Sequence, residues 1–158
     1  MGLGSYPAGS TLGGVDVNAF SAATAVFSAS AKWDPNQRVV VLNSDGTVAT
    51  VHYVDQQVAL ALGIELGSIP SAPSVGIRLS NIRAASAATF DLAVRDSTVG
   101  ALAALLRVRA ITLGDPVTRI DIVSQYDPAG NSRWAVNYQN LLAPAPRTRI
   151  ANVYIPGR

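Results

Sequence analysis

The stretch Val39-Val40-Val41-Leu42-Asn43-Ser44-Asp45-Gly46-Thr47-Val48-Ala49-Thr50-Val51-His52-Tyr53-Val54 decides the fold. Two runs rich in β-branched residues flank an Asp-Gly pair, which supplies the positive φ that a tight turn between twisted antiparallel strands requires. A β-hairpin is expected. Directly after it, Asp55 is placed to cap a helix whose apolar residues Val58, Leu60, Ala61, Leu62 and Ile64 run to about Leu66. Gly67 and Pro70 then stop it.

Working outward, Ser68 to Ser74 holds Pro70 and Pro73 and must be a loop, because proline blocks helix propagation and strand pairing alike. It leads to Val75-Gly76-Ile77-Arg78-Leu79. A second helical region is expected from about Ala85 to Arg107, where Phe90, Val94, Ala101, Leu102 and Leu105 recur at spacings near three and four; Ser97-Thr98 and Gly100 are candidate breaks. Beyond Gly114 the period becomes two. Val117, Arg119-Ile120-Asp121-Ile122-Val123, a turn at Asp127-Pro128-Ala129-Gly130-Asn131, and Trp134-Ala135-Val136-Asn137-Tyr138 read as a second hairpin. The tail passes Pro144 and Pro146 and ends in Arg149-Ile150-Ala151-Asn152-Val153-Tyr154-Ile155, an edge or augmenting strand. The expected class is α+β: two β-hairpins forming a small mixed sheet packed against two helical regions, with extended arms at both ends.

Three segments follow. Residues 1–37 form an N-terminal arm rich in Gly, Ala and Ser, with Tyr6, Val15, Val17, Phe20, Val26 and Phe27 apolar enough to lie on a neighbour. Residues 38–142 form the compact domain, and residues 143–158 form a C-terminal extended arm. The 158-residue length suits a single core.

Composition narrows the function. Charged residues make up 14% and hydrophobic ones 49%, which excludes a charge-driven disordered chain. The bases are Lys32 and eleven Arg, and the acids are Glu65 and nine Asp. Lacking the Lys and Glu that usually solvate a surface, the chain is expected to have faces that partners cover. Residues 1–77 carry two bases and five acids, and residues 78–158 carry ten bases and five acids. A basic half can signal nucleic acid, but these arginines are spread over separate elements without Lys clusters or interleaved aromatics, so paired docking surfaces between protein subunits are expected instead. No stretch approaches a bilayer span, Val99 to Leu106 being among the longest apolar runs. A soluble product made in a cytoplasm is expected, with no nucleic acid or membrane partner.

Cysteine is absent and His52 is the one histidine, which excludes disulfide staples and multi-histidine metal sites. Lys32 lies in no glycine-rich loop, and no G-x-S-x-G elbow occurs. His52 falls inside an expected strand and reads as a structural residue. Asp45 and Asp127 lie in turns beside glycine but lack the alternating oxygen ligands of a calcium loop, and turn chemistry accounts for them. No cofactor and no metal are expected. Catalysis would fall to Glu65 with Asp55 or Asp91, as in a small wall-degrading hydrolase.

Read in order, Val54-Asp55-Gln56-Gln57-Val58-Ala59-Leu60-Ala61-Leu62, Leu66-Gly67-Ser68-Ile69-Pro70 and Pro73-Ser74-Val75-Gly76-Ile77-Arg78-Leu79 resemble the small baseplate wedge family of contractile phage tails. That family looks related to the TssE baseplate component of type VI secretion systems. The resemblance spans roughly residues 38–142 in order of elements. The family's Glu-Pro-Arg motif would fall at Asp115-Pro116-Val117-Thr118-Arg119, with aspartate for glutamate and two residues intervening. The resemblance implies assembly rather than catalysis: a sheath initiator, present in multiple copies in a symmetric virion baseplate. It would dock on larger wedge proteins through Asp115, Pro116 and Arg119, and meet tail sheath and tail tube subunits. Strand exchange would use Ile150, Val153, Tyr154 and Ile155. Another virion protein, a capsid decoration or tail-tube subunit, is the alternative of the same broad class.

Overall fold

The computed structural model describes residues 29–34, 37 and 39–156. Readings made of residues 1–28 lie outside the described residues. The architecture is α+β, as expected, and the described residues form three helices and small antiparallel sheets.

The Asp-Gly turn forms. Gly46 takes φ 84°, Asn43 N–H donates to the Thr47 carbonyl at 2.8 Å, and the Asp45 carboxylate accepts from the Thr47 N–H at 2.9 Å and its hydroxyl at 2.6 Å. Beyond the pairing of Val41 with Ala49, the hairpin arms part, and each takes a partner from residues 29–34. Strand β1 (Ala29–Ala31) pairs antiparallel with β4 (Thr50–His52), and β2 (Trp33–Asp34) pairs with β3 (Val39–Val40). Lys32 stands at the crossing: its N–H donates to Ala49 and its carbonyl accepts from Val41. The last residues of the segment read as an arm therefore complete the hairpin's hydrogen bonding, because strand edges leave main-chain groups that need partners.

Strand β4 runs straight into helix α1 (Tyr53–Gly63). The cap is His52, not Asp55. His52 is extended and its Nδ1 accepts from the Val54 N–H at 3.2 Å, while Asp55 falls in the first turn, where the helix dipole favours an anion. Val54, Val58, Ala61 and Leu62 form the buried stripe. The helix stops at Gly63, short of Leu66, because Ile64–Leu66 turns extended and bonds to Ile77: Leu66 N–H donates to Ile77 and Ile77 N–H donates to Ile64. Gly76 permits this contact, since at φ +127° a Cβ would lie 2.6 Å from the Ile64 carbonyl oxygen.

A short helix outside the expected helical regions, α2 (Leu79–Ala84), comes next, and the second helical region, expected from about Ala85, begins at Phe90 as α3 (Phe90–Arg107). Ser97 and Thr98 do not break α3; both are buried against the core within a continuous helix.

The second hairpin belongs to a separate four-stranded antiparallel sheet: β5 (Ile111–Leu113), β6 (Ile122–Gln125), β7 (Ser132–Asn140) and β8 (Thr148–Ile155). Strand β7 is its centre. One edge of β7 is shared, by β5 opposite residues 138–140 and by β6 opposite residues 133–136, and the other edge is taken by β8 over eight pairs. Trp134, Val136 and Tyr138 alternate inward and join Val153, Ile155, Phe90, Val94, Leu102 and the α1 stripe in one core.

Candidate partner-binding edge

Among the described residues strand β8 pairs with β7 alone, and its ladder fixes which main-chain groups face away from that partner. Asn140 N–H donates to the Arg147 carbonyl at 2.9 Å, so 140 and 147 are a hydrogen-bonded pair. Such pairs alternate along an antiparallel ladder. In this register the groups of Arg149, Ala151, Val153 and Ile155 turn toward β7, and those of Ile150, Asn152 and Tyr154 turn outward. The opposite edge of β7 agrees with the alternation: Asn137, not an even-numbered neighbour, exchanges with Asp121 and Gly114.

The four strand-exchange residues divide accordingly. Val153 and Ile155 are core residues. Ile150 is 63% exposed, and Tyr154 lies under the Arg133 guanidinium, 4.7 Å from ring centroid to Cζ. The strand carries no proline and no lysine, which are common devices for blunting an edge. Its one charge, Arg149, is turned to an interior partner.

A groove of about 560 Å³ lies beside this edge, lined by Trp33, Val41, Gln56, Leu62, Ile150 and Asn152 among others. Three elements meet in it. Asp55 on α1 accepts from the Tyr138 hydroxyl of β7 at 2.6 Å and from Arg149 Nε of β8 at 3.1 Å. The carboxylate is 9% exposed and thus almost wholly dependent on these two donors. Burial, reinforced by the bond to Asp55, holds the Tyr138 phenol well above its ordinary range, so it stays a donor. Gln56, buried one position on, accepts from the Trp33 N–H at 3.0 Å and ties the N-terminal strand to the same helix. His52 Nδ1 also meets Asn140 Nδ2 at 3.1 Å, linking the α1 cap to the end of β7.

Asp115, Pro116 and Arg119 share the loop between β5 and β6. Both ends of this loop are fastened to one residue of β7: Asn137 N–H donates to Asp121, and Gly114 N–H donates to Asn137. Asp115 does not pair with Arg119 through side chains. Its Oδ1 accepts from the Val117 and Thr118 N–H groups at 2.7 and 2.9 Å, which hold the carboxyl below its ordinary range, while its carbonyl accepts from the Arg119 N–H. That turn absorbs the two intervening residues and sets Arg119 at φ 65° with an exposed side chain, beside Val117 at 86% exposure. Arg95 of α3 anchors the loop's far end through Asp121 at 2.7 Å; the Arg95 hydrogen bond lowers the Asp121 carboxyl and raises the guanidinium. Because β5 and β6 flank one edge of β7 and β8 the other, the two expected contact sets lie on opposite edges of the sheet.

The carboxylates weighed for hydrolysis stand in separate elements. Glu65 Oε2 accepts from the Leu79 N–H at the start of α2, and Asp91 Oδ1 accepts from the Ser124 hydroxyl. Among the described residues no group of three or more His, Cys, Asp or Glu is placed to hold a metal ion, and no helix is long and apolar enough to cross a membrane.

The Asp55–Tyr138–Arg149 network was not read from the sequence, since its members are 83 and 94 positions apart. One signal was present. An inward tyrosine in an alternating strand must find a partner for its hydroxyl, and an acid beside the apolar stripe of α1 is a natural one. Comparison of the chain with protein-family models, with curated proteins and with solved structures finds no match.

Proposed function

We propose that this chain is a structural subunit of a contractile phage tail baseplate, a wedge component that docks on larger wedge proteins and initiates sheath assembly by strand exchange. The observation that carries the reading is the outer edge of β8, which no strand covers among the described residues. Three outward residues, Ile150, Asn152 and Tyr154, offer main-chain donors and acceptors beside a groove, on a strand without edge protection. An extended segment added there gains affinity from main-chain bonds and selectivity from the side chains that line the groove. The order of elements from the first hairpin to the Asp115–Arg119 loop supports the wedge assignment. The loop's place on the opposite sheet edge suits a subunit that holds one partner while receiving a strand from another.

Co-expression with the sheath subunit and the larger wedge protein of the same particle tests this reading. Asn152→Pro removes an outward N–H and is expected to abolish sheath capture while sparing wedge binding; Arg119→Ala is expected to do the reverse. Capture of neither protein by the wild type, or a closed trimeric or hexameric ring formed by the lone chain, contradicts it and favours a decoration or tube subunit. Lytic activity lost in Glu65→Gln would favour a hydrolase.

A further inference from the structure

Helix α3 has a second face that no other element covers among the described residues. Phe90, Val94, Ser97, Thr98 and Leu102 point into the core; at 100° per residue, Leu92, Asp96, Val99, Gly100, Ala103 and Arg107 fall in one stripe on the other side. Leu92 is 60% exposed and Val99 40%. A face built for water carries long charged side chains, and this one has one acid and one base. It also has a glycine in mid-helix, a choice that costs about 1 kcal/mol relative to alanine. Among the described residues nothing accounts for that glycine: a Cβ there would meet nothing within 4 Å. Absence of a side chain does let another helix approach closely.

The charges select the occupant. Asp96 and Arg107 are three turns apart, roughly 16 Å along the axis, too far to pair with each other, and neither has an ion-pair partner among the described residues. Their midpoint falls between Ala101 and Leu102, which is also the midpoint of Gly100 and Ala103. An antiparallel copy centred there sets each Asp96 against the other copy's Arg107, and each Gly100 against the other's Ala103. The face is thus complementary to itself under a twofold rotation, the condition for an isologous interface. We propose that the free chain forms a dimer by antiparallel pairing of α3 with α3 of a second copy.

One helix face lies below the standard interface size of about 1,200 Å², so sedimentation of the full chain should span about 1 μM to 1 mM. A concentration-dependent dimer is expected. Asp96→Arg should raise its dissociation constant at least about tenfold by setting like charges together, and Asp96→Arg with Arg107→Asp should restore it to within about threefold. Gly100→Leu should abolish the dimer without lowering the thermal midpoint of the monomer, since leucine is the better helix former. A wild type that stays monomeric throughout, a dimer indifferent to Gly100→Leu, or a double variant that fails to restore pairing overturns the proposal.

Discussion

Asp55 shows how a local rule yields to a distant contact. An acid opening an apolar helix reads as its cap, and the cap is instead His52, with Asp55 turned inward to Tyr138 and Arg149. Removing such a carboxylate strands the buried Tyr138 hydroxyl and one donor of the half-buried Arg149. Asp55→Leu is expected to cost about 3 kcal/mol, and Asp55→Asn, which still accepts from Tyr138, about 1–2 kcal/mol, both read from urea midpoints. His52→Ala removes the α1 cap and the partner of the buried Asn140 amide, for an expected loss of about 1–3 kcal/mol, part of which His52→Asn should recover. Asp121 sets a pH dependence. Its carboxyl is lowered in the folded state by Arg95, so its contribution is present above the ordinary carboxylate range and is lost as pH falls through the lowered value. The pair is more than a third exposed, and the contribution is held to less than about 1 kcal/mol. Urea unfolding of Asp121→Asn should show a shallower loss of stability than wild type from pH 5 downward.

At the scale of elements, the features that depend on neighbouring residues are legible in the sequence. The Asp45-Gly46 turn, the stripe of α1 and the alternation of β7 each rest on residues within one or two turns of each other. The misplaced boundaries have tertiary causes. Helix α1 ends early because Ile64–Leu66 is drawn into pairing with Ile77, and Ser97-Thr98 does not break α3 because both side chains pack inward. Gly76→Ala tests the first of these: its Cβ would sit 2.6 Å from a backbone oxygen at φ +127°, and an expected loss of several kcal/mol should appear as a lowered thermal midpoint. Strand β8 offers a paired test of its own ladder. Ala151→Pro removes a bond to β7 and should destabilise the fold by about 3 kcal/mol, whereas Asn152→Pro removes only an outward group and should cost far less.

Over the whole molecule, the scarcity of Lys and Glu has a structural counterpart. Val39, Val40, Leu42 and Val48 on the first hairpin, Val117 in the β5–β6 loop, Leu92 on α3 and Ile150 on β8 are all exposed. The contact sets expected from the sequence were legible as segments but not as a geometry. No local pattern says that Asp115–Arg119 and β8 flank β7 from opposite sides, because that depends on β5, β6 and β8 all choosing β7 as partner. Nor does alternation along the tail reveal that Val153 and Ile155 are core while Ile150 and Tyr154 face out.

Amide hydrogen exchange across β8 tests the strand-accepting edge most directly. In the free chain, Ala151 and Val153 should exchange slowly and Ile150, Asn152 and Tyr154 fast. On addition of the sheath subunit, those three outward amides should become protected while the inward ones stay as they were. Outward amides that remain fast at saturating sheath subunit, or protection that ignores the alternation, would contradict it.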